Sequence, residues 1–196
     1  MSETTHTIVG TRSEIMVREL EKFDPGSQAV TVGSIEHRMV HEGRLFGITL
    51  PFAALASGAS LDLLGVVPAG VAPNFRSWAL SLSGGPGDVF LYEDAVVSDN
   101  GTLLTPLNHN RSSSRTPAMQ LYQAPTVTSV GTPIVNQEYV PAASNNQAGL
   151  GAAGSFEEWD LAPGKTYLFR YTNNDNGPVD GSASFSFYEP PEVITS

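Results

Sequence analysis

The chain predicts an all-β protein, an antiparallel β-sandwich or jelly-roll-like module, behind an N-terminal arm with room for one short helix. Three observations predict it. Glycine (19) and proline (14) are frequent among 196 residues while charged residues make up 15%, a balance that favours short strands and tight turns over long helices. Apolar and polar residues alternate in stretch after stretch from Ile35 onward, as half-buried strands require. Finally, the segment 89–139 holds a weak internal echo. Leu91-Tyr92, Val97-Ser98, Gly101-Thr102 and Leu104 recur, at the same offsets, as Leu121-Tyr122, Val127-Thr128, Gly131-Thr132 and Ile134. Each copy reads as strand, turn, strand, and Asn100-Gly101 between alternating runs is a hairpin signal.

Taken in order, residues 1–34 read as the arm. Thr11 and Glu14 have capping-box spacing, and a helix over 12–23 would place Met16, Leu20 and Phe23 on one face before Asp24-Pro25-Gly26 stops it. A strand through Ile15 and Val17 is the competing reading. So narrow an apolar stripe needs a surface to lie on, which makes Met16, Leu20 and Phe23 candidate partner contacts. Over 35–50, Ile35, His37, Met39 and His41 alternate as in a half-buried strand, Gly43 suggests a turn or bulge, and a strand resumes at Leu45. Residues 51–71 read as irregular strands and loops around Leu55, Leu61, Leu63 and Val66. Trp78, Leu80 and Leu82 should face the core, opposite Ala79 and Ser81. Residues 84–87 form a turn before the first copy of the echo.

The two copies are joined by 108–117, a polar stretch carrying Arg111 and Arg115. It predicts an exposed loop, and loops on a rigid sheet are where recognition residues tend to sit. Asn108, Asn110, Arg111 and Arg115 are therefore candidate contacts. Small residues dominate 141–155, which predicts a flexible loop. A strand over 156–161 is followed by a turn at Pro163-Gly164. Tyr167, Phe169 and Tyr171 then share one strand face, with Leu168 and Arg170 on the other. After a turn-rich loop at 173–181, Ala183, Phe185 and Phe187 alternate with serines. The division is thus an arm at 1–34, a sandwich of nine or ten strands at 35–189, and a fraying tail at 190–196.

Several function classes find no support. The net charge is −10, with acid spread along the chain and no basic patch, which argues against nucleic acid. The absence of cysteine removes disulfides, thiol catalysis and thiolate metal sites. The most apolar stretch, 48–71, is interrupted by Pro51, Gly58, Asp62, Gly65, Pro68 and Gly70, so no membrane span is expected. The polar start, Met1 to Thr5, lacks the apolar run of a secretory signal.

Candidate chemistry is thin. His37 and His41 lie four apart beside Glu36 and Glu42, but no third ligand suggests itself and the His-Glu-x-x-His order is absent. The pair reads as a structural or interface pair, hence as candidate contacts. Glu157, Glu158 and Asp160 around Trp159, or Asp88, Glu93, Asp94 and Asp99, contain enough carboxylates for glycoside hydrolysis, yet an acidic chain usually solvates such clusters. No nucleophile elbow or phosphate loop appears. Asn173 to Asn176 and Asp180 offer hard oxygens for calcium, or simply turn chemistry. Tyr92, Tyr122, Tyr167, Tyr171, Trp78 and Trp159 suit a sugar-binding surface or, more often, core. No catalytic residue, cofactor or metal is assigned, and no enzyme is expected.

Three stretches carry a resemblance. The segment from Leu91 to Thr132, the early Glu36-His37-Arg38-Met39-Val40-His41-Glu42-Gly43, and the late Glu158-Trp159-Asp160-Leu161 with Pro163-Gly164-Lys165-Thr166-Tyr167-Leu168, closing on Phe187-Tyr188-Glu189, resemble in order a group of small virion structural proteins of tailed bacteriophages. Several of these are capsid decoration (cement) proteins. The resemblance covers about residues 35–189, and none of its motifs is catalytic; the arm and the apolar 48–72 depart from it. It implies a β-rich module assembling, usually as a homotrimer, on the outer surface of an icosahedral head, with the major capsid protein and itself as partners. A tail- or head-fibre appendage binding host glycan or receptor is the alternative expectation.

Overall fold

The computed structural model describes residues 35–140, 153–155 and 158–190. The chain divides into two compact units, Met1–Arg38 and Met39–Ser196. The helix expected at 12–23, with Met16, Leu20 and Phe23, lies outside the described residues, as does the tail beyond residue 190.

The strand expected from Ile35 is instead a helix, α1 (Ile35–His41), with Glu36 in its first turn and Met39 buried. Alternation over so few residues fits either period, and Gly43 decides. It sits at φ +66, the Gly43 amide donates to Val40 O (3.0 Å) and the Arg44 amide to Met39 O (2.8 Å). That bond pair is the Schellman motif that ends a helix on a left-handed glycine. Met39 then packs with Leu45 and Tyr188 in a small cluster of its own.

From Leu45 the described residues are strands and turns. They are β1 (Leu45–Leu55), β2 (Ser60–Val66), β3 (Asn74–Leu82), β4 (Gly87–Glu93), β5 (Val96–Asp99), β6 (Thr102–Leu103) and β7 (Leu107–Asn108). The second half adds β8 (Gln120–Gln123), β9 (Thr126–Ser129), β10 (Thr132–Val140), β11 (Ala153–Ser155), β12 (Trp159–Asp160), β13 (Thr166–Asn173) and β14 (Val179–Tyr188). The fold is all-β, as expected, with more and shorter strands. Residues 51–71 hold more strand than expected: β1 runs to Leu55, with a register shift between Phe52 and Leu55, and β2 spans Ser60–Val66, while 56–59 and 67–71 are turns and loop, as expected. Part of the stretch expected as loop at 141–155 is also strand, since β11 pairs with Trp78 to Leu80 of β3. Backbone pairing needs no large side chain, so a small-residue segment can join a sheet edge that hydrophobic patterning cannot reveal.

The strands make two antiparallel six-stranded sheets. The front sheet runs β11-β3-β14-β1-β7, with β12 also on β3; the back sheet runs β10-β4-β13-β2-β8-β6. Phe46, Leu50, Trp78, Leu80, Phe185 and Phe187 from the front interleave with Leu63, Val89, Leu91, Leu121, Phe169 and Tyr171 from the back in one core. Aromatic rings cross the gap: Phe169 meets Phe185 edge-on at 4.7 Å and Trp78 at 5.5 Å. The alternation of Trp78-Leu80-Leu82, Tyr167-Phe169-Tyr171 and Ala183-Phe185-Phe187 thus faces inward as expected.

The internal echo is real, but it does not fold as two hairpins. Each copy hands its strands to the other. β4 of the first copy pairs with β10 of the second (Thr132 opposite Glu93, Pro133 opposite Tyr92), and β8 of the second with β6 of the first (Thr102 opposite Gln123, Leu103 opposite Tyr122). The middle strands β5 and β9 form a two-stranded ribbon centred on Val97 opposite Val127. These pairings are mutual images under a local pseudo-twofold axis. Beneath the ribbon, Leu168 pairs with Leu64 in the back sheet, flanked by Tyr92 and Tyr122. Leu64 and Leu168 are 0% exposed although they point away from the sandwich core, because the ribbon roofs them with Val97 and Val127. Asn100-Gly101 turns the chain from ribbon to sheet, rather than back on itself.

Candidate partner-docking site

The loop at 108–117 sits at the end of the sandwich where β1 begins and β14 finishes. Buried Asn108 organises it. Its Nδ2 donates to Gly43 O (2.8 Å) and Arg115 O (3.0 Å), while Oδ1 accepts the Asn110 amide (2.9 Å). Asn110 Nδ2 in turn donates to His41 O (3.0 Å), and its Oδ1 accepts the Ser112 amide (3.1 Å). Ser113 closes on Gly43, where a Cβ would meet its Oγ at 2.2 Å. The far side of the loop is held by Glu189. That carboxylate is 8% exposed and accepts the Ala118 amide (2.8 and 3.0 Å) and the Met119 amide (2.8 Å). Charge-assisted bonds of this kind are roughly twice as strong as neutral ones. Sequence reasoning missed Glu189; its only signal is a carboxylate between the last core strand and Pro190.

So anchored, the loop presents Arg111 and Arg115 to solvent. Neither makes an ion pair among the described residues; Arg111 Nη1 reaches Asn108 O at 3.5 Å. Elsewhere Lys165 holds Asp94 (2.6 Å) and Arg170 holds Asp62 through two bonds (2.7 and 2.6 Å). Exposed His109 lies beside them, its ring against Gly47, where a Cβ would come within 2.6 Å of Nε2. Leu107, 60% exposed, completes the patch.

Of the residues expected to touch partners, the structure therefore gathers His41, Asn108, Asn110, Arg111 and Arg115 at one end. Two of them face inward: Asn108 is buried and Asn110 half-buried, so both shape the loop rather than present it. His37 is exposed on α1, in the unit Met1–Arg38.

The other candidate chemistry is tied into structure. Asn173, 0% exposed, repeats the Asn108 device: Nδ2 donates to Leu55 O and Gly177 O, and Oδ1 accepts the Asp175 amide. Asp175 accepts the Gly85 amide and Asp180 the Ala54 amide. Turn chemistry thus accounts for the oxygens considered for calcium, and no group of three His, Cys, Asp or Glu among the described residues is arranged for a metal. Glu93 accepts the Tyr167 hydroxyl (2.8 Å) near Lys165; burial first, then that bond, pushes the Tyr167 phenol up to about 12. Glu158 accepts the Tyr188 hydroxyl, Asp160 accepts Asn74 Nδ2 (2.7 Å), and Asp88 accepts Asn174 Nδ2 (2.7 Å). Of the aromatic side chains considered for sugar, Trp78, Tyr167 and Tyr171 are core, Tyr92 and Tyr122 pack against the ribbon, and Trp159 is half-buried against the core. Among the described residues no helix is long and apolar enough to cross a membrane. No known protein family's sequence profile matches the chain, and no curated protein is similar to it.

Proposed function

We propose that this protein is a capsid decoration (cement) protein of a tailed bacteriophage. In this reading it binds the outside of the icosahedral head as a homo-oligomer, a homotrimer being the expected form, and bridges and stabilises major capsid subunits. The observation that carries the reading is the anchored loop. A rigid sandwich holds out two arginines that meet no carboxylate among the described residues, beside an exposed leucine, on a chain whose other described polar groups are largely engaged with one another. Cations on a fixed loop steer and register a protein–protein contact. The resemblance of its ordered motifs to those of phage virion proteins is in keeping with the same reading. The fibre-appendage alternative draws no comparable support, because the six aromatic side chains considered for sugar lie in or against the cores.

Co-sedimentation with phage heads stripped of decoration tests it. The chain should saturate the heads, and Arg111→Glu combined with Arg115→Glu should weaken binding about tenfold or more. Deleting residues 2–30 measures what the arm adds. A chain that ignores stripped heads would sink the reading.

A further inference from the structure

The tripeptide Asp-Asn-Gly occurs twice, as Asp99-Asn100-Gly101 and as Asp175-Asn176-Gly177, and these hold both Asn-Gly pairs of the chain. Asn-Gly is the pairing most prone to spontaneous loss of ammonia, because the glycine nitrogen can attack the asparagine side-chain amide without steric hindrance. The attack needs three things: a glycine N–H free to give up its proton, an asparagine side chain free to fold back onto that nitrogen, and backbone able to follow. The same tripeptide gives both sites the same local chemistry, so the fold decides between them.

At the first site the fold opposes the attack. The Gly101 amide donates to Asp99 Oδ1 (2.8 Å), and a hydrogen bond to a carboxylate holds the proton on the nitrogen. Gly101 stands at φ 85° with its Cα pressed on the chain that follows β8, so that a Cβ would lie 2.3 Å from Gln123 O and 2.7 Å from Ala124 O. Strand β5 ends at Asp99 and β6 begins at Thr102, which fixes the backbone on both flanks.

At the second site the corresponding aspartate is turned elsewhere. Asp175 Oδ2 accepts the Gly85 amide (3.0 Å) from the turn between β3 and β4, and its Oδ1 accepts the Asn176 amide (2.7 Å). The Gly177 amide is left without an acceptor among the described residues. Asn176 is exposed, and apart from chain neighbours nothing lies within 4 Å of where a Gly177 Cβ would stand. The Gly177 carbonyl accepts Asn173 Nδ2 (2.9 Å), so the loop is anchored just beyond the reacting atoms and not at them.

We infer that Asn176 is a site of spontaneous modification, deamidating through a cyclic imide with Gly177, while Asn100 is protected by the fold. The Gly177 nitrogen loses its proton and bonds to Asn176 Cγ. The Cγ–Nδ2 bond breaks, and the side-chain nitrogen leaves as ammonia with that proton. Water then opens the ring at either carbonyl and leaves aspartate or isoaspartate. One water is consumed for each ammonia released, and no other reactant is required. Each event adds a negative charge to a chain of net charge −10. The isoaspartate form also routes the backbone through the side chain, immediately before the carbonyl that Asn173 holds.

Incubating the full chain in mildly alkaline heavy-oxygen water, followed by peptide mass spectrometry with electron-transfer fragmentation, tests it. The Asn176 peptide should convert to aspartate and isoaspartate forms carrying one heavy oxygen. Its rate should exceed that at Asn100 by about tenfold or more, the ratio that ~1.4 kcal/mol of barrier gives. In urea the two rates should converge, because the tripeptides are the same. Gly177→Ala, with open space for the methyl group and no left-handed φ to strain it, should fold normally and suppress conversion at Asn176. Equal rates at the two sites in the folded chain, faster reaction at Asn100, a gap of the same size in urea, or undiminished conversion in Gly177→Ala would each overturn the inference.

Discussion

Alanine at Gly131 tests the crossed-over repeat most directly. Gly101 and Gly131 hold φ of 85° and 84°. A Cβ at Gly101 would lie 2.3 Å from Gln123 O, and one at Gly131 2.2 Å from Glu93 O. The two environments are images of each other, but their surroundings differ. A left-handed alanine costs about 1–2 kcal/mol, offset by about 0.4–1 kcal/mol from the stiffer unfolded chain. The rest comes from backbone that must retreat. At Gly101 the retreating element is β6, two residues at a sheet edge, which can detach and lose one or two hydrogen bonds of about 1 kcal/mol each. At Gly131 it is the start of β10, nine residues long and paired to β4 from Glu93 to Gly87, so displacement also disturbs Leu91 and the core beneath. Gly131→Ala should therefore destabilise by about 3 kcal/mol and Gly101→Ala by about 1–2 kcal/mol. At about 2–4 °C per kcal/mol for a chain of this size, the first lowers Tm by roughly 6–12 °C. Scanning calorimetry on both variants reads this. If either loss stays within about 0.5 kcal/mol of wild type, or Gly101→Ala is the more damaging, the crossed pairing is not what constrains these glycines.

Other outcomes follow from the same contacts. Leu168→Ala, beneath the ribbon and fully buried, should cost about 3 kcal/mol, and hydrogen exchange should then quicken in β5 and β9 ahead of the sandwich core. Glu189→Gln leaves two amide donors, that of Met119 buried and that of Ala118 part-buried, facing a partly mismatched acceptor; about 2 kcal/mol of stability should go, read by denaturant titration, with faster exchange at the Ala118 and Met119 amides. Tyr167 keeps its proton in the folded state to about pH 12, against an ordinary value of 10. Its contribution is whole below pH 10 and is lost as pH rises from 10 toward 12, because the unfolded phenol ionises first. Urea midpoints measured between pH 9 and pH 11.5 should fall less steeply in Tyr167→Phe than in wild type; equal slopes would count against that role.

Strand faces were the most legible part of the chain. Trp78-Leu80-Leu82 and Ala183-Phe185-Phe187 alternate over enough residues that only one face can be core. Short stretches were not so constrained. Ile35 to His41 satisfied two periods at once, and the glycine that settles the matter acts through backbone bonds to Val40 and Met39. For the loop, sequence pointed to Asn108, Asn110, Arg111 and Arg115 as one polar group. The structure divides them, because Asn108 and Asn110 find backbone partners in α1 and its cap while the arginines find no carboxylate among the described residues.

By itself the sequence determined the all-β class, the inward faces of the long strands, the repeat and the exposure of the arginine loop. Each follows from local patterning, since alternation, glycine and polar runs bias a chain wherever it lies. Only the tertiary structure decided that the two copies of the repeat exchange strands, that Leu64 and Leu168 are roofed by a ribbon, and that Glu189 clamps the loop. Those depend on which distant segments pair, and pairing is set by register and closure across the whole sheet, which no stretch of residues encodes alone.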